Sequence, residues 1–367
     1  MGDTTDIVQK EMYTFEDKGG RSITLKPEGT AGVVRSFVEN GLSSQAQPTK
    51  MYYLTTPIFR YENPQSGRLR EHHQFGVEVF GARSASVDAE IIMIALTLFG
   101  KLGIKGLKLH INSIGCPNCR PSYNAMLNKY FTSRKEELCP TCRERLNKNP
   151  LRILDCKEEK CRRVIAGAPV MVDGLCMECA DHFESLKEYL EAMDISYEIN
   201  PFIVRGLDYY TKTVFEIISD IIGSQGTVCG GGRYDKLISE VGGQDMPGIG
   251  FGLGMERLLM VMENEKIAIL EQRLFDVYFV TMGEEAKKKA FSLVAELREK
   301  GLRSDCDHCE RSLKAQFKYA DKCGAPFVAV IAEDEMKTGA AKVRDMRTGI
   351  ETNIQFSELK SYIMQEK

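Results

Sequence analysis

Short β-rich runs at residues 12–15 and 22–25 flank the polar stretch Glu16-Asp17-Lys18-Gly19-Gly20, a pattern that predicts a hairpin. Pro27-Glu28-Gly29-Thr30 then opens a predicted helix to about residue 40. Residues 51–61 and 74–80 predict two strands joined by the polar loop Asn63-Pro64-Gln65-Ser66-Gly67-Arg68-Leu69-Arg70. Apolar Ile91, Ile92, Ala95, Leu98 and Phe99 recur at helical spacing and predict a helix over 88–102. A second amphipathic helix is predicted over 181–193, and the β-branched and aromatic run 209–218 predicts a strand. Gly230 to Gly232 and the alternating Gly248, Gly250, Gly252 and Gly254 lead into a helix near 255–262. The charged residues 263–273 read as a linker. Beyond Asp276 strands and helices alternate at 277–280, 284–300, 313–323 and 327–332, the pattern of a small α/β domain with a partly parallel sheet.

Composition narrows the class without naming it. The 367 residues are 43% hydrophobic and 28% charged, enough for two or three domains with real cores. No run reaches the ~18–20 apolar residues of a membrane span, and the first residues carry neither a secretory nor a myristoylation pattern. Cysteine is the unusual feature: there are 12, and eight lie between Cys116 and Cys179. In a chain of this size without a signal peptide, paired cysteines point to metal or redox chemistry before disulfides. Net charge is −3, yet residues 116–165 hold 12 Lys and Arg against 6 Asp and Glu. That basic island in an acidic protein is a candidate contact for a polyanion.

Three constellations carry chemistry. In Phe59-Arg60-Tyr61-Glu62, strand alternation puts Arg60 and Glu62 on one face, and Arg68 and Arg70 follow in the loop. Such a pair is ordinarily a surface ion pair; its functional alternative is a phosphate clamp, because guanidinium is planar and always charged. The run Gly248 to Gly254 fails the dinucleotide fingerprint and is no P-loop. Glycine at every second strand position instead strips one face of side chains, so that a flat ring can lie on the backbone, with Arg257 following to meet phosphates. Third is Arg205-Gly206-Leu207-Asp208-Tyr209-Tyr210, whose aromatics by default are core.

Together these motifs resemble those of the histidyl-tRNA synthetases, a family of class II aminoacyl-tRNA synthetases. Phe59–Glu62 with its loop is similar to motif 2, and Gly250–Arg257 to motif 3. Arg205–Tyr210 and Gly231-Gly232-Arg233-Tyr234-Asp235 resemble the two histidine signature peptides, and Thr24-Leu25-Lys26-Pro27-Glu28-Gly29-Thr30 the amino-acid-binding peptide. Arg311-Ser312-Leu313-Lys314-Ala315-Gln316-Phe317-Lys318-Tyr319-Ala320 resembles the anticodon-binding domain. The fold this implies is an α+β class II synthetase core, an antiparallel sheet flanked by helices, with a Cys-rich insertion and a C-terminal α/β anticodon-binding domain. Its divisions would be core at 1–113, insertion at 114–198, core again at 199–263, linker at 264–273 and anticodon-binding domain at 274–367.

The resemblance also implies roles. Histidine carboxylate attacks the α-phosphorus of ATP, which enters with Mg2+, and the histidyl group then passes to the 3′ end of tRNA(His). Arg60 and Arg205 would be catalytic at the α-phosphate, with Arg68 and Arg257 on the outer phosphates, Glu62 on the adenine side, and His72 where relatives often stack Phe. Glu28, Gly29, Thr30 and Gln74 would bind the amino-acid end. Glu78 and Tyr210 would bracket the imidazole and Tyr234 close the pocket, and Tyr209, Arg60 and Arg205 would also bind the histidine, Arg60 at its carboxylate. A homodimer in the cytoplasm, with no membrane contact, completes the expectation. The dimer-forming motif 1 should precede Thr5, so the chain as it stands is expected to dimerise and react poorly.

Cys116-x2-Cys119, Cys139-x2-Cys142, Cys156-x4-Cys161 and Cys176-x2-Cys179 fit one or two four-thiolate zinc sites. The family fold demands no metal, and reduced, partly buried thiols are the favoured reading. In the family this insertion faces the acceptor arm of tRNA, which suits its basic charge. Cys306-x2-Cys309 beside His308 reads as incidental. Two rivals differ in class: a histidine-binding regulatory paralogue without ligase activity, and a zinc-dependent nucleic-acid binder. Paralogues of that kind lack the C-terminal domain or erode the histidine peptides, and the second rival leaves the arginines unexplained.

Overall fold

The computed structural model describes residues 7–61, 64, 67–269 and 273–365. The chain divides into two units, Met1–Ala268 and Ile269–Lys367. The first opens with a π-helical turn, Ile7–Glu11, and the hairpin of β1 (Thr14–Glu16) and β2 (Ser22–Thr24). There follow α1 (Thr30–Glu39), β3 (Thr49–Phe59), β4 (Glu71–Phe80), α2 (Ala85–Lys101) and β5 (Leu107–Ser113). The Cys-rich segment supplies α3 (Arg120–Thr132), α4 (Pro140–Lys148), α5 (Glu159–Ile165) and α6 (Met177–Ala192). The unit closes with β6 (Glu198–Ile199), β7 (Thr211–Ser219), β8 (Thr227–Arg233), α7 (Leu237–Glu240), β9 (Gly248–Gly254) and α8 (Met255–Asn264).

Seven strands form one sheet in the order β3-β4-β9-β8-β7-β5-β6, antiparallel except for the β5–β6 pair. Alternation gives it one greasy face. Val77 and Val79 of β4, Cys229 of β8 and Ile249, Phe251 and Leu253 of β9 join Ile91, Ile92 and Ala95 of α2, Leu186 and Leu190 of α6, and Val261 of α8 in the main core. Val34 and Phe37 of α1 build a second cluster with Phe80, Tyr234 and Ile238. The Cys-rich segment has its own core, where Tyr123, Leu127 and Phe131 of α3 meet Leu146, Ile153, Val164 and the cysteines. Helix α6 serves two cores, with Cys179 in this cluster and Phe183, Leu186 and Leu190 in the main one.

The structure departs from the expected elements in instructive places. The strand predicted from residue 209 begins at Thr211, because Lys212 adopts a left-handed φ of 49° and the β7–β8 register shifts between Thr211 and Val214. Tyr209 and Tyr210 thereby leave the ladder. Strand β5 was not anticipated, although Leu107, Leu109 and Ile111 alternate with Lys108 and His110 as in a half-buried strand. Strand β4 starts three residues earlier than predicted, at Glu71, and α8 runs into the expected linker as far as Asn264.

In the second unit β10 (Val277–Thr281) lies parallel to both β11 (Ser304–Cys306) and β12 (Phe327–Ile331), while β13 (Ala340–Asp345) and β14 (Glu351–Gln355) extend the sheet antiparallel. Helices α9 (Glu284–Glu299), α10 (Leu313–Lys322), α11 (Glu333–Thr338) and α12 (Leu359–Gln365) accompany it. The buried Gln316 amide pins α10 to β10, accepting from Thr281 N at 2.8 Å and donating to Thr281 O at 3.0 Å.

A buried charge network ties the first unit together. Arg233, at the end of β8, is 1% exposed and holds both carboxylate oxygens of the fully buried Asp88 on α2. His182 of α6 reaches the same carboxylate at 2.8 Å, and Arg233 also donates to Ala82 O and Ser84 O. Burial alone would raise the Asp88 carboxyl, but Arg233 and His182 outweigh it and keep it below the usual range. Removing one partner from such a pair leaves a buried charge uncompensated. Asp88→Ala is therefore expected to lower unfolding free energy by about 3–5 kcal/mol in denaturant titration. A loss within the scatter of surface substitutions would contradict this.

Candidate functional site

The polar face of the large sheet is almost bare at its centre. Gly76 of β4 stands opposite Gly252 of β9, which stands opposite Gly230 of β8. In the next row Glu78 faces Gly250, and Gly250 faces Gly232. Neighbouring side chains use the vacated space. A Cβ on Gly252 would lie 2.0 Å from Gln74 Nε2, one on Gly230 2.5 Å from the Arg205 guanidinium, and one on Gly250 1.7 Å from Glu78 Oε2. The glycines thus form a floor across which polar groups from the flanks lie flat.

At one end of this floor is a buried cluster of tyrosines and glutamates. Glu78 is wholly buried; Thr30 Oγ1 donates to its Oε1 at 2.8 Å and the Tyr234 hydroxyl to its Oε2. Burial pushes the Glu78 carboxyl up to about 8, against the hydrogen bonds of Tyr234 and Thr30. Tyr209 packs on Tyr210 and Tyr234 with ring centroids 4.6 and 5.6 Å apart. Glu28, also buried, accepts from Thr30 N at 2.7 Å and Ala31 N at 2.8 Å, which caps the N-terminus of α1. Gly29 N donates to Gln74 Oε1 at 3.1 Å, so Glu28, Gly29, Thr30, Gln74 and Glu78 form one connected wall.

Beyond Gln74 the floor continues into a cleft. Arg60, Arg68, Arg205 and Arg257 line it, and Glu256 is the single carboxylate-bearing residue among its described lining residues. Arg60 Nε is anchored on Pro27 O at 2.8 Å, and Arg257 on Gly67 O at 2.6 Å and Thr227 O at 2.9 Å. Arg205 pairs with Glu216, and its buried Nε has no hydrogen-bond partner among the described residues. Burial and the neighbouring charges of Arg68 and Arg60 hold Arg257 below its usual pKa. Positive charges crowded in a half-buried cleft favour an anionic ligand. Burial, with Arg60 nearby, brings His72 down to about 4, so its ring is neutral at pH 7 and offers a flat uncharged face.

Nearly every anticipated residue is therefore gathered around one glycine floor. Glu62 lies outside the described residues. Sequence reasoning did not anticipate several partners: Glu216, which holds Arg205; the His73–Glu256 pair, joined at 2.6 Å; and Tyr53, whose ring covers Gly76. Glu216 left one visible sign, a charge set between the apolar pairs Val214-Phe215 and Ile217-Ile218 of β7. All eight clustered cysteines also converge, in two sets: Cys116, Cys119, Cys176 and Cys179, and Cys139, Cys142, Cys156 and Cys161. None forms a disulfide. Near Cys306, Asp305 and His308 are close, but Cys309 is exposed and stands apart from that group.

Comparison with known proteins agrees with this geometry. Residues 13–266 match the tRNA synthetase class II core domain (G, H, P, S and T), and residues 276–366 match the anticodon binding domain. A histidine–tRNA ligase of Caldanaerobacter subterraneus subsp. tengcongensis is 56% identical, over 99% of this chain and 87% of its own. One from Clostridium botulinum (strain 657 / Type Ba4) is 53% identical, over 99% and 86%. Among solved structures, apo S. aureus histidyl-tRNA synthetase superposes with a TM-score of 0.80 at 40% identity, covering 96% of this chain and 86% of that one.

The buried Glu78 has a measurable consequence. Its folded value of about 8 exceeds its ordinary 4.5, so the folded chain binds a proton that the unfolded chain has released between those limits. Its contribution is full below pH 4.5 and is lost as pH rises through about 8, at up to about 1.4 kcal/mol per pH unit. Glu78→Gln should remove this slope. Chemical denaturation across that range would show the variant gaining on the parent as pH rises; parallel profiles would contradict the assignment.

Proposed function

Because the chain belongs to the histidine–tRNA ligase family of class II tRNA synthetases, and so catalyses the ATP-dependent attachment of histidine to tRNA(His), we propose a division of labour among its side chains. One observation carries it: four arginines converge on a glycine-floored cleft that opens beside a buried glutamate held by a tyrosine hydroxyl. Histidine lies with its imidazole between Glu78 and Tyr210, under Tyr234. Glu78 accepts from a ring N–H, and Tyr210 pairs with the other nitrogen. Glu28, Thr30 and Gln74 hold the α-ammonium end. A side chain without two ring nitrogens would leave these buried groups unpaired, which is a strong discriminator.

The histidine carboxylate oxygen forms a bond to the α-phosphorus of ATP as the bond to the β-phosphate oxygen breaks, releasing pyrophosphate. The hydroxyl at the 3′ end of tRNA(His) then displaces AMP from the histidyl carbonyl. Arg60 and Arg205 meet the negative charge on the α-phosphoryl oxygens from two sides, the buried Arg205 Nε, without a hydrogen-bond partner among the described residues, offering a donor already desolvated. Arg68 and Arg257 take the outer phosphates, and the adenine lies against the neutral face of His72. Beside Arg68 and Arg257, Mg2+ bound to the triphosphate, as class II synthetases generally require, would add charge neutralisation at the outer phosphates. Fixed guanidiniums at a bare backbone floor favour the reaction through positioning and electrostatics.

The basic residues 116–165 and the anticodon-binding domain supply tRNA contacts. Strand β3 lies at the sheet edge with Tyr52 and Leu54 exposed, a face that a second copy would cover in the homodimer expected of the full-length family member. A cytoplasmic location goes with this reading; no described helix is long and apolar enough to cross a membrane. The test is amino-acid-dependent ATP–pyrophosphate exchange followed by tRNA charging. Histidine alone should support exchange. Arg60→Ala should lower kcat by on the order of 10²–10³, and Glu78→Gln should raise the histidine KM roughly 10- to 100-fold. A folded chain that exchanges with no amino acid would overturn the proposal, as would variants that leave both constants unmoved.

A further inference from the structure

Residues 116–179 contain two groups of four sulfurs, and in each group all four lie within 4.8 Å of one another. The Sγ atoms stand 3.6 Å apart for Cys116–Cys119, 3.8 Å for Cys116–Cys176 and 3.9 Å for Cys139–Cys156. A tetrahedron of sulfurs around Zn2+ at about 2.3 Å has edges of about 3.8 Å. Ordinary buried thiols scatter among aliphatic neighbours as small hydrophobes. Here they converge on two points, and backbone N–H groups are already directed at the sulfurs: Cys176 N at Cys119 Sγ and Cys139 N at Cys161 Sγ, both at 3.2 Å. Such donors support thiolates. Two of the pairs sit in Cys-Pro-x-Cys turns, residues 116–119 and 139–142.

Charge agrees with this assignment. Residues 116–179 carry 12 Lys and Arg against 8 Asp and Glu, a net of +4. Two Zn2+ ions with four thiolates each would carry −2 apiece and cancel it. The eight thiol protons pass to solvent as the ions bind. An all-sulfur donor set selects a thiophilic ion over Mg2+ or Ca2+.

The clusters also reach the amino-acid pocket. Arg120 follows Cys119 directly, and its guanidinium donates to the carbonyl of Tyr210 and, at 3.4 Å, to that of Ile114. Arg152 lies between Cys142 and Cys156, and its Nη1 donates to the carbonyl of Arg205 at 3.1 Å. One cluster therefore supports each end of the segment from Arg205 to Tyr210. We propose that the two four-cysteine clusters each bind one Zn2+ as a tetrathiolate, and that these ions, through Arg120 and Arg152, hold the Arg205–Tyr210 segment in its binding geometry. The second half rests on the roles proposed above for Arg205 and Tyr210; the first does not.

The full chain, purified under reducing conditions and dialysed against metal-free buffer, should contain two zinc ions by mass spectrometry of the metal. Cys116→Ser with Cys176→Ser should leave one, as should Cys139→Ser with Cys156→Ser. Should a variant fail to fold, loading the parent with Co2+ replaces that arm: two equivalents should bind with thiolate-to-metal charge transfer and tetrahedral d–d absorption. Fewer than two ions in folded parent, or iron in place of zinc, overturns the metal assignment whatever the activity. Arg120→Ala should keep two zinc ions yet raise the histidine KM by about tenfold with the ATP KM unchanged, and Arg120→Lys should recover part of the loss. An unchanged histidine KM overturns the coupling, and absence of exchange in the zinc-loaded parent instead marks failure of the ligase roles.

Discussion

The constraint on which the first unit depends is the missing row of side chains on one face of its sheet. Gly76, Gly252 and Gly230 stand side by side on three adjacent strands. Glycine is a poor strand former, because it loses more backbone entropy and packs nothing. The opposite face offsets this: Leu253 and Phe251, which alternate with the glycines of β9, are each 1% exposed and packed against α2 and α8 in the main core. One strand therefore does two things. Its apolar residues hold the sheet, and its glycines let Gln74, Glu78 and Arg205 lie across the backbone where any Cβ would collide with them.

Arginine shows how environment, not residue type, decides the outcome. Arg233 is buried and matched by Asp88, with two carbonyls completing its donors, and it binds β8 to α2. Its neighbour Tyr234 is thereby fixed where its hydroxyl meets Glu78. Arg60 and Arg257 instead lie on backbone carbonyls, which orient a guanidinium without cancelling its charge. The first kind of arginine stabilises the frame, and the second lines the cleft. Both are needed, since an unfixed frame would blur the positions of the cleft arginines.

Much of this was legible in the chain because it is written locally. The alternating glycines from Gly248 to Gly254, the Arg60 strand end and the paired tyrosines each occupy a few consecutive residues, and the structure brings them to one floor. What stayed hidden depends on long-range pairing. Arg233 and Asp88 are 145 residues apart, and His73 meets Glu256 across 183. No local pattern encodes either. The cysteine spacings announced pairs but not which pairs share a site, and only the fold brings Cys116 and Cys119 to Cys176 and Cys179. Strand β5 was legible in the alternation of Leu107, Leu109 and Ile111 with Lys108 and His110, but the partners of those polar residues, Asp220 and Glu198, were not.

The central claim is that the bare floor aligns the amino acid and the α-phosphate between Glu78 and the arginine pair. A crystal structure with a non-hydrolysable histidyl-adenylate analogue tests it most directly. The account predicts the phosphoryl mimic between Arg60 and Arg205, with an imidazole nitrogen hydrogen-bonded to Glu78 and the chain lying flat over Gly252. An analogue bound with its phosphoryl mimic away from both arginines, or with its imidazole outside the Glu78 pocket, would contradict it.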